Sequence, residues 1–177
     1  MRAALVAAAL LVAAPALVAG PAAAQISGDA FQGFTGGSGS PVQIDADQLE
    51  VVDGENRAVF KGNVRVQQGD SVIETGELEV IYAKGGANGE GSTPGNISKL
   101  NLSGGVIARS GANTAQGERG SFDVAAEVVT LEGGVTLSQG KNVAKGCKLV
   151  AELKSNQARL TRCPGQRIRT VITPGSN

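Results

Sequence analysis

The chain has 177 residues, 16 Lys plus Arg against 16 Asp plus Glu, and no histidine, a length that suits one domain with short appendages. Balanced charge excludes the clustered cations on which nucleic-acid affinity rests. The missing histidine removes the usual general base, the Ser-His and Cys-His pairs and most zinc sites, so neither an enzyme nor a metal or cofactor site is expected.

In chain order, Met1-Arg2 is a short positive start, Ala3 to Ala19 an almost purely apolar stretch and Ala22-Ala23-Ala24 a small-residue cleavage site. This pattern predicts a secretory signal peptide over 1–24, interrupted by Pro15 and marginal in length for a membrane span. The mature chain is expected to begin at Gln25 in an oxidising compartment, the periplasm. From there on no run is apolar enough to cross a bilayer. Residues 25–40, rich in Gly and Ser and without periodicity, read as a flexible leader. Phe31 and Phe34 within it allow a small docking motif, with a plain disordered tail as the other reading.

From Val42 the pattern changes. Ala46-Asp47-Gln48-Leu49-Glu50-Val51 is echoed by Thr75-Gly76-Glu77-Leu78-Glu79-Val80, and Phe60-Lys61-Gly62-Asn63-Val64-Arg65-Val66 by Leu131-Glu132-Gly133-Gly134-Val135-Thr136-Leu137. Leu102-Ser103-Gly104-Gly105-Val106-Ile107-Ala108 lies between them. Once the polar, Gly-rich insertion of residues 84–96 is removed, the period is about 29 residues, giving four tandem units that begin near Ala46, Thr75, Gly117 and Gly146. Each unit offers two alternating strand patterns punctuated by turns such as Asp53-Gly54-Glu55-Asn56 and Gln68-Gly69-Asp70. No segment carries a sustained helical period, so the chain is expected to be all-β. Two architectures fit: a folded-over antiparallel jelly roll and a parallel β-helix, the latter compatible with a structural or carbohydrate-binding β-solenoid. Tight turns every ten or so residues favour the antiparallel form. The Gly-x-Val motifs precede strands rather than helices, so they are expected to be bulges or bends, not phosphate loops.

With one Tyr, four Phe and no Trp, the interior must be aliphatic. Alternation points Leu49, Val51, Phe60, Val64, Val66, Leu78, Val80, Leu131, Val135 and Leu137 to one face, the candidate apolar lining. Glu77 and Glu79 suit a solvated strand edge better than a catalytic pair. Arg159, Arg162, Arg167 and Arg169 suit phosphates, acidic groups of a partner or a solvated edge.

Cys147 and Cys163 are expected to form a disulfide clamping the last hairpin, two buried thiols being the rival reading. A hairpin centred on Ser155-Asn156 would pair Leu153 with Ala158 and Ala151 with Leu160. That places Cys147 opposite Pro164, so a one-residue slip or a bulge near Cys163 is needed. The first strand, Val42 to Asp45 after Pro41, and the last, Arg167 to Thr173 before Pro174, have no evident further partner, and open edges recruit other chains.

Three stretches carry a family resemblance: residues 41–51 (PVQIDADQLEV), residues 58–69 (AVFKGNVRVQQG) and residues 167–174 (RIRTVITP). In this order, behind a signal peptide, they resemble the OstA-like (LptA) family of periplasmic lipopolysaccharide-transport proteins, across residues 41–174 and leaving 175–177 as a tail. The resemblance implies an antiparallel β-jelly roll, V-shaped in section and open at both ends, that shields the acyl chains of lipopolysaccharide and bridges the inner and outer membranes. It implies head-to-tail stacking, with LptC at the N-terminal edge (Val42, Gln43, Ile44), the LptD N-terminal domain at the C-terminal edge (Ile168, Thr170, Val171, Ile172), and a possible homo-oligomer. Carried over by position, Val42, Ile44, Phe122 and Val124 fall where the family contacts acyl chains. Gly76 departs from the pattern, standing where an acidic residue is common, and the 84–96 loop varies in this family.

Overall fold

The structure, a computed structural model, describes residues 41–83 and 97–173. The expected signal peptide, leader, insertion and tail lie outside these residues. Alternating apolar residues and glycine turns produce eleven strands: β1 (Val42–Asp45), β2 (Gln48–Val52), β3 (Arg57–Gln68), β4 (Ser71–Tyr82), β5 (Ile97–Ser110), β6 (Asn113–Gly117), β7 (Arg119–Asp123), β8 (Val128–Gln139), β9 (Asn142–Glu152), β10 (Gln157–Thr161) and β11 (Arg169–Val171). Asp53–Glu55 forms a single 3-10 turn. All strands belong to one sheet and each pair is antiparallel. That excludes the parallel β-helix and with it the solenoid alternative.

The sheet has eight rows. β1 and β2 pair with the two halves of β3, β6 and β7 together fill the row between β5 and β8, and β10 and β11 pair with the two halves of β9. Three two-residue hairpins, each opening with a glycine at φ 55–56° (Gly69, Gly111, Gly140), join β3 to β4, β5 to β6 and β8 to β9. A positive φ at the first central residue only is the type II′ geometry, which glycine adopts without steric cost and whose twist matches the strands.

The echoed glycine motifs acquire a common meaning. The β3–β4 ladder shifts register between Lys61 and Val64, the β4–β5 ladder between Thr75 and Glu77, and the β8–β9 ladder between Glu132 and Val135. Gly62, Gly104 and Gly133 sit at these shifts with φ of 77°, 79° and 81°. In the other rows the interruption falls at Ala46-Asp47, at Glu118, and between β10 and β11. Six of the eight rows therefore break along one line, β4 and β9 crossing it as continuous strands opposite the bulges, and bulges bend the strands that carry them. The repeat units begin on this line. Backbones approach closely there: a Cβ on Gly104 would lie 3.2 Å from the Gly76 Cα, and one on Gly76 would lie 3.1 Å from the Gly104 carbonyl oxygen. A side chain at position 76 would press on the Gly104 backbone, which would have to give by a few tenths of an ångström.

On either side of the line, inward residues form one cluster. Its fully buried members include Leu78, Leu131, Leu149, Val64, Val80, Val106 and Val135. Each such side chain contributes about 1.5–3 kcal/mol of transfer free energy, so aliphatic residues suffice without aromatics.

The last hairpin differs from the sequence expectation. Ala158 pairs with Ala151 and Leu160 with Leu149, a shift of two residues, because Leu153 to Asn156 form a four-residue turn closed by the Asn156 N–H donating to the Leu153 carbonyl at 3.3 Å. The shift preserves the inward face, since the side-chain period is two. It brings Cys147 one residue beyond the end of the ladder, and Cys147 and Cys163 are joined by a disulfide with Cα atoms 4.9 Å apart. The last strand is also shorter than expected: β11 holds only Arg169–Val171, with Ile168 and Ile172 flanking it.

Candidate functional site

Directly opposed residues in an antiparallel ladder share a face, so the pairings trace continuous rows across the sheet. One runs Leu49–Phe60–Leu78–Leu102–Gly120–Leu131–Leu149–Leu160. Across the fold line another runs Ile44–Val66–Ile73–Ala108–Ala115–Leu137–Ala144–Thr170. These rows define the inner face. Parallel to the second, at the hairpin lip, Gln68, Ser71, Ser110, Asn113, Gln139 and Asn142 form an uncharged polar row, with the Ser71 hydroxyl donating to the Ser110 hydroxyl at 3.0 Å. The opposite lip is apolar, with Tyr82, Ile97, Val124 and Leu153 packed on the core.

All the residues expected to line an apolar surface lie on this face, in three burial states. Val64, Val66, Leu78, Val80, Phe122, Leu131, Val135 and Leu137 are buried in the core cluster, and Ile44, Phe60 and Val124 pack against it half-buried. Val42, Leu49 and Val51, in the first row, are 47%, 57% and 55% exposed. The inner face thus continues to the N-terminal edge and ends there uncovered by any described residue. The C-terminal edge likewise exposes Ile168, Val171 and Ile172 at 45%, 50% and 58%. Sequence reasoning missed Ile73, Leu102, Val106, Val129, Leu149 and Leu160 as part of the surface. The repeat contained the signal for three of them, since Leu102 is the echo of Phe60 and Leu131, Val106 of Val64 and Val135, and Leu149 of Leu78.

The outward face is a charged lattice. Glu74 accepts hydrogen bonds from Arg65 at 2.8 Å and from Arg109, Lys61 donates to Glu50 at 2.9 Å, and Lys148 lies 2.8 Å from Glu132. The hydrogen bond from Arg109 holds the Glu74 carboxyl below its ordinary value, as the bonds from Lys61 and Lys148 do for Glu50 and Glu132. These pairs are exposed, and such pairs contribute little to stability. Glu79 takes hydrogen bonds from Arg57 and Asn101 and so belongs to this lattice, while Glu77 lies opposite Lys61 in the ladder. A depression of about 760 Å³ follows the fold line, lined by Asn63, Arg65, Glu74, Gln116, Glu118 and backbone glycines. Val64, Val106 and Ile107 also line it, so its surface mixes charged, polar and apolar groups. Among the described residues no cluster of His, Cys, Asp or Glu is placed to hold a metal ion.

Fold and site together define an antiparallel β-jelly-roll protein with an aliphatic inner face and, among the described residues, an unpaired row at each edge of the sheet. Comparison with known proteins gives the family. Residues 43–157 match the model of the LptA/(LptD N-terminal domain) LPS transport protein family, and the chain belongs to that family. It is 37% identical over 158 residues to an uncharacterized protein of Rhizobium meliloti (strain 1021), covering 88% of this chain and 83% of that one. The fold is similar to the crystal structure of LptH, the LptA homologous periplasmic component of the lipopolysaccharide transport device of Pseudomonas aeruginosa. The TM-score is 0.62 at 21% identity, covering 76% of this chain and 96% of that one.

Proposed function

We propose that this protein carries lipopolysaccharide across the periplasm, holding acyl chains against its inner face while the sugar portion stays in water. The observation that carries this reading is the row from Leu49 to Leu160, apolar from one edge of the sheet to the other apart from Gly120 and exposed at its start. Each methylene withdrawn from water contributes about 0.8 kcal/mol, so several acyl chains need a long surface rather than a pocket. The interior is already dry and aliphatic, so uptake exchanges one apolar contact for another. The lipid then meets many similar contacts and no deep well, which suits movement along the sheet. The amide and hydroxyl row at the hairpin lip supplies neutral hydrogen-bonding groups where a sugar head would border the hydrocarbon.

The exposed edge rows support assembly by strand addition. β1 with Val42, Gln43 and Ile44 would receive LptC, and the edge with Ile168, Thr170, Val171 and Ile172 the N-terminal domain of LptD, or further copies of this chain would extend the stack. Each contact is strand addition at an unprotected edge. The signal peptide would deliver the chain to the periplasm.

A photo-reactive residue placed at Ile44 or Leu49 tests the reading. Both are inner-face positions accessible enough to substitute without opening the core. Lipopolysaccharide adducts are expected there and not at the outward positions Glu50 and Arg65. Adducts confined to the outward positions would refute it.

A further inference from the structure

The zero formal charge of the chain conceals a separation along the sheet. The segment that forms the first row and its turn, residues 41–56, carries five carboxylates (Asp45, Asp47, Glu50, Asp53, Glu55) and no cation. The segment that forms the last row, residues 157–173, carries four arginines (Arg159, Arg162, Arg167, Arg169) and no carboxylate. The four arginines are exposed, and among the described residues none forms an ion pair. On the first row Asp45, Asp47 and Glu50 are exposed; Glu50 is bonded to Lys61, while among the described residues the side chains of Asp45 and Asp47 accept from the amides of Gln43 and Asn63 and form no ion pair.

The ladder places these charges in register. The outward cross-strand row that starts at Glu50 ends at Arg159. The outward row that starts at Asp45 ends at Arg169, with Lys145 beside it. Eight rows alternate in direction, so the last row of one molecule runs antiparallel to the first row of a second molecule placed beside it, and the sheet continues unbroken. In that continuation Arg159 faces Glu50 of the next copy and Arg169 faces Asp45, each at the separation of an ordinary cross-strand pair. Two-fold pairing of two first rows, or of two last rows, is also antiparallel, but it would bring five carboxylates against five or four arginines against four. Directly opposed like charges destabilise a sheet.

We infer that the edges of this protein are charge-coded for head-to-tail joining of its own copies, with Glu50–Arg159 and Asp45–Arg169 as the intermolecular pairs and like-charge repulsion suppressing the symmetric dimers. The inference rests on the stacking described under the proposed function and adds what sets its polarity and register.

Sedimentation velocity on the mature chain, without lipid, tests it. The wild type is expected to self-associate in a concentration-dependent way and to dissociate between about 0.1 M and 1 M salt, as the Debye length falls from about 10 Å to about 3 Å. The variant Arg159→Glu/Arg169→Glu and the variant Asp45→Arg/Glu50→Arg should each associate roughly tenfold more weakly at low salt. An equimolar mixture of the two should recover assembly, since each edge again meets its opposite; a variant that had failed to fold would not be rescued. Wild-type association indifferent to salt, unchanged association of the reversed variants, or a mixture that stays dissociated would each overturn the inference. Lipopolysaccharide adducts at Leu49 are read separately: their absence would strike the transport reading and leave the charge code standing.

Discussion

Leu49 and Leu131 lie in one cross-strand row on the same face, yet Leu49 is 57% exposed and Leu131 is 1% exposed. Replacing each with alanine separates what the row does for folding from what it does at the edge. Leu131 lines a small apolar void of about 20 Å³ together with Leu102, Phe122 and Val129, so truncation enlarges an existing cavity in a core that bulged strands hold in place. Buried leucines lose roughly 2–5 kcal/mol on such truncation, rising with the cavity left, and Leu131→Ala is expected at about 3–4 kcal/mol within that range. Leu49 leaves no cavity and keeps less than half its side chain from water; Leu49→Ala is expected to cost about 0.5–1 kcal/mol. Urea unfolding followed by circular dichroism gives both values, and an unchanged slope would show that the unfolded states are comparable. Lipid adducts formed from a probe at Ile44 should weaken in Leu49→Ala although its fold is intact. Equal costs at the two positions would refute the assignment of the first row to binding rather than to the core.

Gly104→Ala should destabilise more than Gly105→Ala. Both positions have φ of 79–89°, a strain of about 1–2 kcal/mol for an L side chain, but only at Gly104 would the new Cβ press on the Gly76 backbone; thermal melts of the two variants give the difference. Removing the disulfide with Cys147→Ser/Cys163→Ser should cost about 3 kcal/mol, the loop-closure value for its span, and the wild type in reductant should melt close to the variant. The Glu74 carboxyl is held below its ordinary value mainly by the hydrogen bond from Arg109. A depressed folded-state pKa adds stability above the unfolded value of about 4.5 that is lost as pH falls through the folded value. Melting temperature followed from pH 6 down to pH 3 should therefore fall slightly less steeply in Glu74→Gln than in the wild type, and a steeper fall would contradict the assignment.

Much of the site was legible in the chain because the side-chain period of a strand is local. Leu78 and Val80 announce their face by alternation with Glu77 and Glu79, and the ladder confirms that face. The 29-residue echo was legible too, since Gly62, Gly104 and Gly133 recur in matched surroundings. Less legible was the distinction between Leu49 and Leu78, which occupy the same place in the repeat. One ends in an open first row and the other is covered by rows on both sides, and no local pattern encodes which rows are terminal. The last hairpin shows the same limit: alternation identifies the inward face of Ala151 and Leu160 but leaves the register free in steps of two, and the turn from Leu153 to Asn156 chose the step.

By itself the sequence determined the all-β character, the inward set of aliphatic side chains, the absence of histidine chemistry and the positions where glycine permits the backbone to turn. All of these depend on residues a few positions apart. Only the tertiary structure decided that the glycine bulges of β3, β5 and β8 align with the breaks in the split rows along one fold line, and that rows beginning with Asp45 and Glu50 end with Arg169 and Arg159. Those facts depend on pairings carried from strand to strand across more than a hundred residues, where each register adds to the one before, and alternation within a strand carries no record of that sum.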